Sequence, residues 1–544
     1  MNWMGPAERR GKRVLKPDVL IIGGGHNGLV CAFYLARAGL KVRVLERRAV
    51  VGGAAVTEEF HPGFRNSSAS YTVSLLQPRV IADMRLADHG YRVIERPIAN
   101  FLPLEDGNYL KVGGGLERTQ AEFRRFSVHD AAILPAYQDA LEVVAQLLRE
   151  LVLKGPPNLG EGLRGIVDGL QQGRRLAGLS LEQRRDLLDL FTKSARSFLD
   201  GWFESAPVKA AFGFDAIVGN YASPDTPGSA YVLLHHVFGE VNGKKGAWAH
   251  CVGGMGALTQ AMAKACLAAG VEISLEAPVE QVLVDGNRAV GVRMASGEEI
   301  AASTIIANVG PKLLYGRMMA QSDLPADFRR RMQAYKVGSG SLRMNVALSQ
   351  LPRFACLPDP GEHHRSGIII APSLDYMDRA FTDAKQFGWS RRPVVEMLIP
   401  STVDDSLAPP GCHVASLFCQ HFAPELPDGR DWDVEEDKAA DVVIDTVEAH
   451  APGFRASILG RSVLTPKGLE RTFGLAGGDI MHGHMSLDQL WAARPVLGHG
   501  NYRGPVKGLY MCGAGTHPGG GVTGAPGHNA AQSVLADRRW WRWV

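Results

Sequence analysis

The sequence predicts an α/β protein in which one domain is assembled from both ends and the middle of the chain, with a second domain threaded between the pieces. Three observations carry this reading. Residues 18–53 read as strand, glycine loop, helix and strand. Residues 251–310 return to α/β character after a helical stretch. Residues 508–531 hold eight glycines and two prolines, and run from the apolar stretch Leu509 to Cys512 into a glycine-rich loop.

The first element is the buried-strand run Val19 to Ile22, followed by Gly23, Gly25 and Gly28 in a G-x-G-x-x-G pattern. The first glycine permits a tight turn, the second lets backbone approach a pyrophosphate, and the third lets helix pack closely on strand. The helix that follows offers free N–H groups and partial positive charge to phosphates, and His26 and Asn27, in the phosphate loop, read as cofactor contacts. Val42 and Val44 belong to the next strand, which closes on Glu46. A carboxylate there accepts both hydroxyls of an adenosine ribose and repels a 2′-phosphate. The glycine pattern alone is weak. Set between a strand and a helix, with an acid ending the next strand, it predicts a bound dinucleotide.

The continuation Glu46, Arg48, Gly52, Gly53 and Ala54 resembles the extended fingerprint of FAD enzymes of the glutathione-reductase-like superfamily. No second G-x-G-x-x-G with a partner acid is present, so one dinucleotide is expected. The C-terminal run GLYMCGAGTHPGGGV resembles the signature of the carotenoid and phytoene desaturase-type FAD oxidoreductases. Gly520 stands where that signature has a small side chain, and His528 where it has Gly or Ser. The stretches 63–78, 253–263 and 477–495 extend the resemblance over most of the chain.

The resemblance implies a glutathione-reductase-like FAD-binding Rossmann domain and an interleaved substrate domain of mixed β-sheet and helices. The expected segments are 16–75, 240–312 and 470–544 for the first, and 76–239 and 313–469 for the second. It implies that Val279 presents backbone to the adenine. It also implies that Gly513 and Gly515 lie near the pyrophosphate and ribityl chain, and Gly521, Val522 and Thr523 near the flavin ring. It implies hydride transfer between flavin N5 and an apolar, unsaturated or aliphatic substrate. Two rivals are an amine oxidase, which shares the Glu46–Gly53 pattern, and a flavin-binding interaction protein with vestigial catalysis.

The middle of the chain supports the two-part plan. Leu134, Tyr137, Leu141, Val144, Leu148 and Leu151 recur at helical spacing. Ser180 with Gln183 forms a capping box ahead of another apolar stripe. A glycine turn at Gly253, Gly254 and Gly256 opens a helix through Leu267. Asp285–Gly286 and Ser296–Gly297 are hairpin signals. SLRMNVAL and GCHVASLFC alternate in places and predict an antiparallel sheet.

Composition bounds the rest. A net charge of +3 over 544 residues gives no concentrated basic face for nucleic acid. The seven cysteines stand singly, with no C-x-x-C pair, so neither a zinc site nor a redox dithiol is expected. The N-terminus lacks the apolar run of a secretory signal, and bacterial cytosol or, in a eukaryote, the mitochondrial matrix fits. Three tryptophans among arginines in DRRWWRWV (537–544) suggest peripheral membrane contact, or packing on the chain's own domain or on a partner subunit. Homo-oligomerisation is compatible with the sequence.

For acid–base chemistry the candidates are His517, inside the C-terminal glycine loop, and His482 in MHGHM. Bracing of the loop is the alternative for His517. A His-x-His pair without a third ligand does not make a metal site. Arg494 reads as a salt-bridge partner or a contact to flavin or a substrate carboxylate.

Overall fold

The computed structural model describes residues 16–158, 169–170, 173–174 and 177–540. The first fifteen residues and half of the tryptophan-rich tail, residues 541–544, lie outside these.

Five short parallel strands form the first sheet, in the order Glu272–Ser274, Val42–Leu45, Val19–Ile22, Thr304–Ala307, Leu509–Met511. Strands from the start, middle and end of the chain thus lie side by side. Both faces are covered, as a parallel sheet requires. Val19, Ile21, Val42 and Val44 pack against the helices His26–Arg37, Met255–Ala268 and Ala525–Trp540. Leu20, Ile22 and Leu45 pack on the opposite side against the three-stranded sheet of 279–301 and the helices Pro311–Arg317 and Ala326–Ala334.

This core reaches past the expected segment boundaries at 75 and 312. Val80, Met84, Leu86 and Tyr91 join one face, and Leu314, Tyr315, Phe328 and Met332 the other. Both segments carry apolar stripes that the sheet can bury, and sequence alone does not say which domain they serve.

The second sheet has seven strands, in the order Ile458–Leu464, Ser341–Leu348, His413–Phe422, Trp389–Leu398, Gly367–Ile370, Asn100–Pro103, Tyr109–Val112. All neighbours are antiparallel except Gly367–Ile370 beside Asn100–Pro103. One face rests on the helix Trp432–His450 through Leu342, Met344, Leu417, Val395 and Met397. The other is covered by helices between 128 and 237, including Val128–Val152 with its buried Leu134, Tyr137, Leu141 and Val144.

Local signals match their elements. Ser180 and Gln183 form the reciprocal capping box of Leu181–Thr192. The hairpin turns fall between Val279–Asp285, Arg288–Met294 and Glu299–Ala301. The seven cysteines are free, and burial first, then the neighbouring Cys512 thiol, raises the Cys31 thiol well above its usual range.

The first and last helices meet closely. A Cβ at Gly527 would stand 2.2 Å from the backbone oxygen of Asn27. Gly527→Val forces these helices apart, and a destabilisation of about 3 kcal/mol is expected. A urea midpoint equal to wild type would contradict this close contact.

Candidate functional site

The carboxyl ends of Val19–Ile22, Val42–Leu45, Thr304–Ala307 and Leu509–Met511 open onto one edge of the parallel sheet. Chain order reverses at Val19–Ile22, whose neighbours on either side come from different parts of the sequence. Crevices at such switch points are where open α/β sheets bind ligands. A cavity of about 580 Å³ lies here.

One end is built from backbone. Gly23, Gly25, His26, Asn27, Gly52, Gly53 and Ala54 line it. The helix His26–Arg37 starts at Gly25 with no side-chain cap and no acid in its first turn. Its orphan N–H groups and dipole are left for an anion. Asn27 Oδ1 is buried with no hydrogen-bond partner among the described residues. A Cβ at Gly25 would lie 2.9 Å from Asn308 Nδ2, and one at Gly28 would lie 2.4 Å from the backbone oxygen of Gly23. Gly28 is therefore a packing glycine outside the cavity wall. Gly25 keeps the cradle open.

Glu46 also lines the cavity and is almost wholly buried. Its Oε2 accepts from the Gly24 N–H at 2.7 Å and its Oε1 from the Arg48 N–H at 2.9 Å. Both carboxylate oxygens are thereby aimed, and each retains lone pairs for a ligand hydroxyl. Arg48 pairs with Glu58 at 2.6 Å and lies 5.2 Å over the Phe473 ring. Val279 stands on the wall beside Ala277 and Pro278.

The C-terminal loop contributes Ala514, Gly520, Gly521 and Val522. Gly513, Gly515 and Thr523 are not on the wall. A Cβ on Gly515 would stand 2.4 Å from Pro311 Cδ, so this glycine lets the loop sit against the helix start at Pro311. Thr523 Oγ1 accepts from the N–H of Ala525 at 3.2 Å. Both departures from the signature are accommodated. A Cβ at Gly520 would lie 2.3 Å from Met481 Sδ, so the methionine fills the space a side chain would take. His528 packs edge-on to Tyr34 with centroids 4.9 Å apart, and its Nδ1 lies 2.9 Å from Asn529 Oδ1.

The two histidine candidates separate. His517 is not on the cavity wall. Its Nε2 lies 3.3 Å from the carbonyl oxygen of Leu151, and its own carbonyl accepts from Tyr502. That geometry is the bracing role, with Nε2 the protonated donor. His482 does line the cavity, and its Nδ1 is buried without a hydrogen-bond partner among the described residues. It acts electrostatically on His26 and stands beside Gly310, at the glycine-loop end.

Arg494 departs from the expected salt bridge. The guanidinium is fully buried and donates to the carbonyls of Ala514, His484, Gln489, Met481 and Gly483. It fastens the MHGHM segment to the C-terminal loop. Sequence reasoning missed this hub, because carbonyl acceptors leave no signal in residue type. It also missed Met481, Asn308 and the apolar part of the lining, Ala69, Tyr71, Val218, Phe418, Leu475 and Ile480.

Burial holds the rings of His26, His482 and His517 down to about 4, from an ordinary 6.5. Each then takes a proton more readily when unfolded. Their contribution to stability is complete above about 6.5 and is lost as pH falls through that value towards about 4. The urea midpoint is expected to be lower at pH 5 than at pH 7.5, with a shallower fall in His482→Gln. Equal midpoints at the two pH values would contradict neutral burial.

The flavin containing amine oxidoreductase family matches residues 28–342. Pyridine nucleotide-disulfide oxidoreductase domain-containing protein 2 of Rattus norvegicus is 42% identical over 96% of this chain and 94% of its own. A lycopene-forming phytoene desaturase of Pseudescherichia vulneris is 28% identical over 95% and 98%. The fold is also that of wild-type putrescine oxidase bound to putrescine, with a TM-score of 0.59 and 16% identity over 96% and 99%. The family is therefore the one that shares the Glu46–Gly53 pattern with amine oxidases, and the phytoene desaturases are more distant relatives. The chain belongs to the flavin containing amine oxidoreductases and is an FAD-dependent oxidoreductase.

Proposed function

We propose that the glycine-lined end of the cavity holds FAD and that the opposite end holds an apolar, unsaturated or aliphatic substrate. The observation that carries this is the change of lining along one cavity. Backbone and Glu46 line it where the parallel strands end, and Val218, Phe418 and Ile480, which pack into the apolar core of the second sheet, line it too. Bound FAD supplies two-electron chemistry, with hydride exchanged at flavin N5.

The chain's own residues then divide by position. The uncapped first turn at His26 and Asn27 takes the pyrophosphate, and Glu46 takes the ribose hydroxyls. Gly52, Gly53 and Ala54 let backbone approach the cofactor, Val279 lies against the adenine, and Gly521 and Val522 border the flavin ring. Gly513, Gly515 and Thr523 shape the loop from behind. His482, neutral and beside the phosphate loop, is assigned here to the cofactor rather than to substrate deprotonation. The apolar walls orient the substrate and exclude water, which preserves the hydride for its acceptor.

Amine oxidation is the second reading, favoured by the family match. Both readings meet in one experiment, an anaerobic titration of the purified flavoprotein followed by its visible absorbance. Bleaching by polyenes or alkenes is expected. Bleaching by primary amines alone would replace the hydrocarbon reading, and bleaching by neither would remove both. Gly25→Val is expected to fold and to purify without flavin, because the added side chain fills the pyrophosphate's approach. Flavin content at the wild-type level would remove the assignment of the glycine cradle.

A further inference from the structure

An anionic ligand meets a cavity whose permanent cations are already engaged. Among the described residues, three arginines and no lysine line it. Arg47 donates to the carbonyls of Arg471 and Thr472, at the end of the helix Pro466–Phe473. Arg48 pairs with Glu58, and Arg317 pairs with Glu470 at 2.8 Å. Glu46 and Glu280 line the cavity as well and add negative charge. The C-terminal loop contributes Ala514 and Gly520 to Val522, which carry none. Tyr71 turns its hydroxyl to Glu396. Two imidazoles, those of His26 and His482, are left to meet an anion.

Both residues are half-buried on the cavity wall. His26 is the first residue of the helix His26–Arg37, beside N–H groups that no side chain caps. Burial, and then the neighbouring His482, hold its ring down to about 4. The positive end of the helix opposes a proton there too. His482 acts on it from the MHGHM segment, and is itself held down to about 4 by burial and then by Arg494. Behind His482, Asp479 Oδ1 accepts from the Met481 N–H at 2.8 Å, and Tyr335 donates to the His482 carbonyl at 3.0 Å. Without a ligand's charge beside them, both rings are neutral at physiological pH.

A pyrophosphate keeps its two negative charges across this range, and an imidazole is the side chain whose charge a neighbour can switch there. One negative charge about 5 Å away, at an effective dielectric of about 20, tightens an imidazole's hold on a proton on the order of a hundredfold. We propose that FAD is loaded together with one proton, which His26 holds as an imidazolium against the pyrophosphate while His482 stays neutral. The proposal rests on the FAD reading above and adds a proton to what the site binds. His26 takes it because Arg494 opposes a charge on His482. The two rings oppose each other's protonation, so one proton is expected and not two. Affinity gained this way is greatest below neutral pH and is lost as pH rises through the titration of the bound ring.

The test titrates the full chain, stripped of flavin by dialysis, with FAD in a calorimeter between pH 6 and pH 8. Proton uptake is counted from the heats in two buffers of different ionisation enthalpy, PIPES and Bis-Tris. Near pH 6.5 the wild type is expected to take up about half to one proton per FAD, and to bind roughly tenfold more tightly at pH 6 than at pH 8. His26→Gln is expected to remove the uptake and flatten the pH dependence, and His482→Gln to keep both. Uptake near zero in the wild type, affinity that is level or rises with pH, or uptake unchanged in His26→Gln would each overturn the proposal. Where His26→Gln does not bind FAD, the wild-type count and His482→Gln decide, and uptake lost in the latter overturns the assignment to His26. A wild type that binds no FAD at any pH would strike the cofactor reading itself, and this proposal with it.

Discussion

One buried cation holds the site in shape. Among the described residues, Arg494 has no carboxylate partner in its hydrogen bonds. Five backbone carbonyls from 481–489 and 514 surround it. A full charge buried this way is stabilised by fixed dipoles, and those carbonyls would otherwise be orphaned in the interior. The bargain is mutual, and removing the guanidinium would expose all five acceptors to desolvation at once. Met481 then fills the space left by Gly520, and His482 is presented to the cavity from a backbone with φ of 60°. The cavity wall contributed by 480–482 thus depends on the same residue as the loop at 514.

The chain's architecture explains why such a fastener is needed. The parallel sheet takes strands from residues 19, 42, 272, 304 and 509 onward, so its loops come from segments hundreds of residues apart. Each glycine loop is permissive by composition and would lose much entropy on ordering. Order comes from contacts made elsewhere. Gly527 lies against Asn27, Asn308 reaches the Gly23 carbonyl at 3.2 Å, and Asp537 accepts from Arg503 and Tyr510 behind the last strand. The first and last helices therefore close on each other, and both ends of the chain frame one cavity.

Much of this was legible in the sequence because the signals were local. The strand–loop–helix at Val19 to Arg37, the acid at Glu46, the capping box at Ser180 and the hairpin turns all rest on residues within a few positions of one another. The covered face of the second sheet was not legible. SLRMNVAL announced a strand, yet alternation alone assigns Arg343 to solvent, as on a half-exposed antiparallel sheet. Helices from 128–237 cover that face, so a position that looks exposed is buried. His517 shows the converse. Its place inside the glycine loop suggested chemistry, but the loop's path turns its ring to Leu151.

If Arg494 fastens the C-terminal loop to the 481–489 segment, its loss should loosen the flavin site. Flavin content and far-ultraviolet circular dichroism of Arg494→Met, compared with wild type under the same purification, measure this. Near-native secondary structure is expected, with the flavin lost or readily removed by gel filtration. A folded Arg494→Met protein that keeps its full complement of flavin would contradict it.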